Sequence, residues 1–128
     1  IFPGADIIKT DSTIAEMVKY LTNSFLAVKD SFANEIYNIC ESLNIDYDKV
    51  VEYSLYDERL GQSHWAVPGP DGHYGFGGSC FPKDINALMH LAQVLCIKAN
   101  TIEGAWNTNL MSRPEKDWEE LRGRAVCE

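Results

Sequence analysis

Cys80 stands in the run Phe76-Gly77-Gly78-Ser79-Cys80-Phe81-Pro82-Lys83-Asp84, whose residue types and spacing fit the presentation of a nucleophilic sulfur. Adjacent glycines let a backbone turn sharply and approach a ligand closely. Pro82 suits the first turn of a helix. Ile85, Leu88, Met89, Ala92 and Leu95 then continue at helical spacing. A thiol at such a helix start feels the positive end of the macrodipole, which favours thiolate over thiol, and Lys83 acts in the same sense. A lone cysteine is ordinarily an inert small hydrophobe. Here glycine pair, helix start, lysine and Asp84 converge on one sulfur, which argues for a reactive one.

The elements that must position this loop are mostly helical. Residues 1–10 are expected to be an extended or irregular leading segment. Asp11-Ser12-Thr13 offers a helix N-cap, with Glu16 at the capping-box distance from Thr13. The helix runs to about Leu43, because Ile14, Val18, Leu21, Phe25, Val28, Phe32, Ile36, Ile39 and Leu43 recur every three or four residues. This stripe is expected to pack into the core. Lys19 and Asn23 lie four apart, on one face off the stripe; a solvated surface is the ordinary reading of such a pair. A turn at Asn44-Ile45-Asp46 precedes a second helix over Asp48–Leu55, and Tyr56 to Gly61 closes it. The loop from Gln62 to Gly78, rich in Gly, Pro and aromatics, is of the kind that carries function. Further helices are expected over Pro82–Lys98 and Ile102–Leu110. The charged tail, 111–128, is either a short terminal helix or a segment that packs on a partner. Strand signals are sparse, so the fold class is mainly α, with one helical domain over 11–110.

At 128 residues the chain can bury one core. Its net charge of −8 argues against nucleic acid or an anionic membrane as partner, since phosphate backbones demand clustered Lys and Arg. A small dianionic ligand remains open. Cys40, Cys80, Cys96 and Cys127 form no C-x-x-C pair, and His64, His73 and His90 add no zinc spacing, so no metal site is expected. Free thiols in a reducing cytoplasm are the better reading. There is no signal peptide and no apolar run of membrane length. The opening Ile1-Phe2-Pro3-Gly4, without methionine, suggests a piece of a longer chain or a processed product.

Two stretches together resemble the nucleotide-sugar (UDP-glucose/GDP-mannose) dehydrogenases, specifically their helical central and dimerisation domain. Residues 15–27, Ala-Glu-Met-Val-Lys-Tyr-Leu-Thr-Asn-Ser-Phe-Leu-Ala, are similar to the first central helix. Residues 75–84, Gly-Phe-Gly-Gly-Ser-Cys-Phe-Pro-Lys-Asp, are similar to the catalytic loop. The resemblance spans about Thr10 to Asn109. It implies an enzyme that oxidises a sugar C6 alcohol to a carboxylate with two NAD, UDP-glucose being the expected substrate. It implies Cys80 as the nucleophile that passes through a thiohemiacetal and a thioester. Lys19 and Asn23 match the pair that stabilises charge on the C6 oxygen, and Asp84 the acid that helps water attack the thioester. Phe76, Gly77 and Gly78 match the substrate-contacting segment. Arg59 matches an arginine given by the partner subunit of a homodimer, against the plainer reading of a surface salt bridge.

The sequence also departs from the family. No G-x-G-x-x-G follows a strand, so the NAD-binding Rossmann domain, with the threonine and glutamate it contributes, is expected to lie outside this chain, and the tail from Arg113 does not resemble the opening strand of the second Rossmann-like domain. The chain alone is therefore expected to oxidise nothing. Two other readings stand beside this one. One is a non-catalytic helical dimerisation module with vestigial site residues. The other is a thiol hydrolase using His73 or His64 as base.

Overall fold

A helix free of glycine and proline over 33 residues, α1 (Thr10–Ser42), is the spine of the molecule and about 50 Å long. The computed structural model describes residues 10–121. Residues 1–9 and 122–128 lie outside it, and with them most of the leading segment, the end of the tail and Cys127. The remaining helices are α2 (Tyr47–Ser54), α3 (Cys80–Val94) and α4 (Asn100–Ser112), with 3₁₀ turns at Glu58–Leu60 and Asp117–Leu121. Among the described residues there is no strand, so the mainly helical expectation holds. No described helix is long and apolar enough to cross a membrane.

Helix ends follow local chemistry. At the end of α1, Asn44 adopts φ 57°, while the Ile45 amide donates to Cys40 O and the Asn44 amide to Glu41 O. This is a Schellman stop. Asp46 caps α2 through its side chain, accepting from the amides of Asp48 and Lys49. The start of α1 differs from expectation: it lies at Thr10, so Thr13 is inside the first turn rather than ahead of it. The end of α3 differs too, at Val94 rather than Lys98. A second Schellman stop ends it, with Cys96 at φ 58° and the Ile97 amide on Ala92 O. Cysteine is not a residue that marks such a stop in sequence, which is why the apolar periodicity overran it.

Both α3 and α4 pack along α1. One core cluster joins Ala27, Phe76, Ile85 and Ala105, with Val28, Phe81, Ile102 and Trp106 around it. A second, beside α2, joins Ala33, Cys40, Tyr47 and Val67. Of the apolar stripe of α1, only Val28 and Ile36 pack against these clusters, which corrects the core expectation for the other seven. Ile14, Val18, Leu21, Phe25, Phe32, Ile39 and Leu43 are between 51% and 63% exposed. The inward face is instead made of Tyr20, Ser24, Ala27, Ser31 and Asn34. Small side chains there let α3 and α4 come close, and the Ser31 hydroxyl donates to Ala105 O at 2.7 Å. At 100° per residue the stripe lies about 180° from Asn23, so α1 has two working faces.

Candidate active site

Asp84 is the buried centre of the site. It sits one turn into α3, is 0% exposed, and its Oδ2 accepts from Asn23 Nδ2 at 2.7 Å. Its Oδ1 has no hydrogen-bond partner and faces Lys19 Nζ at 3.9 Å, an ion pair too long to be a hydrogen bond. Lys19 is itself 53% exposed, so this pair is screened by water. The structure thus brings Lys19, Asn23 and Asp84 together across 61 residues of chain between Asn23 and Asp84. Cys80 opens α3 and is exposed, four residues before Asp84 and so on the same side of that helix. Ser79 Oγ lies 3.9 Å from its sulfur.

The loop ahead of Cys80 is held by side chains that no short motif reveals. The Gly75 amide donates to Asn34 Oδ1 at 3.1 Å, and the Phe76 amide to Asn109 Oδ1 at 2.7 Å. Asn109 Nδ2 returns a bond to Phe76 O at 2.9 Å, so one side chain satisfies both backbone groups of residue 76. The Gly78 amide donates to Asp117 Oδ2 at 3.0 Å. The Phe76 ring is buried in the first core cluster. Gly77 alone among residues 75–78 has an amide with no partner among the described residues, and so is the one free to meet a ligand.

Two glycines are required by close approach. Gly75 has φ 71°, and a Cβ there would strike Asn109 Oδ1. A Cβ on Gly77 would strike the guanidinium of Arg113 and the Asp117 carboxylate. Burial alone would raise the Asp117 carboxyl, but the Gly78 amide and the Arg113 guanidinium outweigh it and hold it below its ordinary value.

The other sequence candidates lie elsewhere. Arg59 is 88% exposed and forks onto Asp57, with Nε at 2.9 Å and Nη2 at 2.6 Å. His73 Nδ1 pairs with Glu115 at 3.0 Å. His64 packs on the Phe81 ring, its buried Nδ1 without a partner. The residues missed from sequence are Asn34, Asn109, Arg113 and Asp117. A signal for two of them existed: asparagine is a poor interior helix residue, and Asn34 and Asn109, like Asn23, sit inside helices because each bonds another segment.

Behind the loop, Asp30 accepts from Asn34 Nδ2 at 2.9 Å. Burial pushes its carboxyl up to about 7 from 3.8; Arg113 and the Asn34 bond pull it down, and Asp71 pushes it up. Folded Asp30 therefore holds its proton more tightly than unfolded Asp30. Its stabilising contribution is whole below 3.8 and is lost as pH rises through about 7. Asp30→Asn should leave stability near pH 4 unchanged and raise it at pH 8 by about 4 kcal/mol. Urea unfolding at pH 4 and pH 8 measures this; parallel losses in both proteins would refute it.

Among the described residues there is no strand–glycine turn–helix cradle of the kind that takes a nicotinamide dinucleotide. Comparison with known proteins shows the family of the chain. Residues 13–110 match the model of the UDP-glucose/GDP-mannose dehydrogenase family, central domain. The chain is 42% identical over 109 residues to UDP-glucose 6-dehydrogenase TuaD of Bacillus subtilis (strain 168), covering 85% of this chain and 23% of that protein. It is 49% identical over 86 residues to UDP-glucose 6-dehydrogenase YwqF of the same organism, covering 67% and 18%. To GDP-mannose 6-dehydrogenase of Pseudomonas savastanoi pv. phaseolicola it is 38% identical over 106 residues, covering 82% and 23%. The chain thus spans about a fifth to a quarter of the length of these relatives. No solved structure matches it. The family match covers residues 13–110, most of the chain: this protein belongs to the UDP-glucose/GDP-mannose dehydrogenase family, through that family's central domain.

Proposed function

We propose that residues 11–110 are the catalytic and dimerisation unit of an NAD-dependent UDP-glucose 6-dehydrogenase, which takes the C6 alcohol to the carboxylate. The observation that carries this reading is the meeting of Asp84 with Asn23 and Lys19 one turn beyond Cys80. The dinucleotide that accepts hydride in such chemistry is held by residues other than those described. The chain's own side chains do the rest. Cys80 Sγ adds to the C6 aldehyde, and the electron pair displaced onto oxygen is stabilised by the Lys19 ammonium and the Asn23 amide. Oxidation of that adduct leaves a thioester. Asp84 takes the proton of the attacking water; the C–S bond then breaks and the thiol is regenerated. Gly77 offers its amide to the substrate, and Arg59 reaches the neighbouring site from the partner subunit.

The exposed stripe on α1 supports a homodimer. Its spacing of four and three residues is that of a helix–helix seam, and a patch of this size is rarely left in water. The free Cys40, Cys80 and Cys96 fit a reducing cytoplasm. Light scattering should give twice the chain mass, and Phe25→Glu combined with Phe32→Glu should give the monomer; a wild-type monomer at micromolar concentration counts against the dimer. The catalytic reading is tested by an NADH assay of the full-length polypeptide across a nucleotide-sugar panel. Fastest turnover is expected with UDP-glucose. Turnover of none of the panel would favour a dimerisation module whose site residues are unused.

A further inference from the structure

Arg113 is 2% exposed, and a guanidinium so far withdrawn from water persists only where its donors are engaged. Its Nε donates to Tyr74 O at 2.9 Å, and Nη2 to Asp71 Oδ2 at 2.7 Å and to Gly75 O at 3.4 Å. Its Nη1 donates to Asp117 Oδ1 at 3.1 Å, and Asp117 Oδ2 accepts the Gly78 amide. Each of these acceptors is in the loop or is the carboxylate that grips the loop. The arginine thus ties positions 71, 74 and 75 directly and position 78 through Asp117. Position 77, between them, has no side chain, and the guanidinium fills the space that one would take. One turn earlier on α4, Asn109 holds Phe76 from the same side.

We propose that Arg113 is a positioning residue for the Cys80 loop: packed behind Gly77, it holds the free Gly77 amide and the start of α3 in one fixed arrangement. A lysine cannot do this, because the bonds diverge from a planar fork toward two carbonyls and two carboxylates. The role in catalysis rests on the dehydrogenase reading above; the role in loop order does not.

Arg113→Lys in the full-length polypeptide tests both. Amide exchange at Phe76 and Gly78 should quicken at least about tenfold while the middle of α1 is unchanged. With UDP-glucose, kcat per folded molecule should fall about 100-fold and KM rise less than about fivefold, since a small displacement of reacting groups costs rate more than binding. Gly77→Ala, which leaves the arginine in the chain but fills its seat, should show the same two effects. Exchange within about twofold of wild type at both amides would overturn the proposal. So would a fall in kcat no larger than the fall in folded fraction, followed by melting. If the wild type oxidises no nucleotide sugar, the dehydrogenase reading fails by itself, and the exchange rates still decide the clamp.

Discussion

Replacing Cys80 with alanine in the full-length polypeptide should lower carboxylate formation by about four orders of magnitude, the usual consequence of removing a nucleophile. The chemistry divides at the aldehyde. Oxidation of the alcohol needs no sulfur, so the variant should stop after one equivalent of NADH and leave an aldehyde that hydroxylamine traps. In the proposed mechanism the adduct with Cys80 is needed only to present that carbon for the second oxidation. Because the side chain is exposed at the head of α3, the change should move stability by less than about 0.5 kcal/mol. Product analysis, NADH absorbance and a melting curve check the three statements. Carboxylate formation above a tenth of wild type would remove Cys80 from the nucleophile's role.

Asp84→Asn should separate activity from stability in the opposite sense. The carboxyl group is wholly buried, yet one oxygen has a single hydrogen bond and the other has none. Burying a group so sparsely satisfied is costly, and an amide of the same shape costs less. An Asn23 amide turned about its own axis can still bond the new side chain. The melting temperature should therefore hold or rise. Under the proposed mechanism acid formation should fall by about 100- to 1,000-fold, because the water that would attack the thioester loses its proton acceptor. Asp84→Ala is expected to lose the same activity and also about 1–3 kcal/mol, since Asn23 is left unpaired beside a cavity. A loss of stability in the asparagine variant equal to that in alanine would show that Asp84 is held for structure. Its unsatisfied oxygen would then need another account.

The two working faces of α1 show how differently parts of this fold could be read from sequence. Lys19 and Asn23 share a face because helical periodicity dictates it, and one look at residues 19 and 23 suffices for that. That Asp84 meets them is a contact across 61 residues, made when α3 lies down on α1. The apolar stripe was legible as a stripe. Its exposure was not, because periodicity reports that a helix has an apolar side and is silent on which side the rest of the chain covers. The inward side won by volume: Ala27, Ser31 and Asn34 admit two helices closely, where Phe25 and Phe32 would hold them off.

The helix-start placement of Cys80 and most helix limits follow from the sequence alone, because caps, glycines, proline at a helix start and the 3.6-residue repeat act over a few neighbours. Cys80 at the head of a helix, with Asp84 one turn on, belongs to this class. Only the tertiary structure decided that Asn34, Asn109, Arg113 and Asp117 would hold the loop before Cys80, and that Gly77 would keep its amide free. Those bonds join positions between 33 and 42 residues apart. Buried amides and carbonyls must find partners wherever folding brings a donor, and no local spacing rule records where that will be.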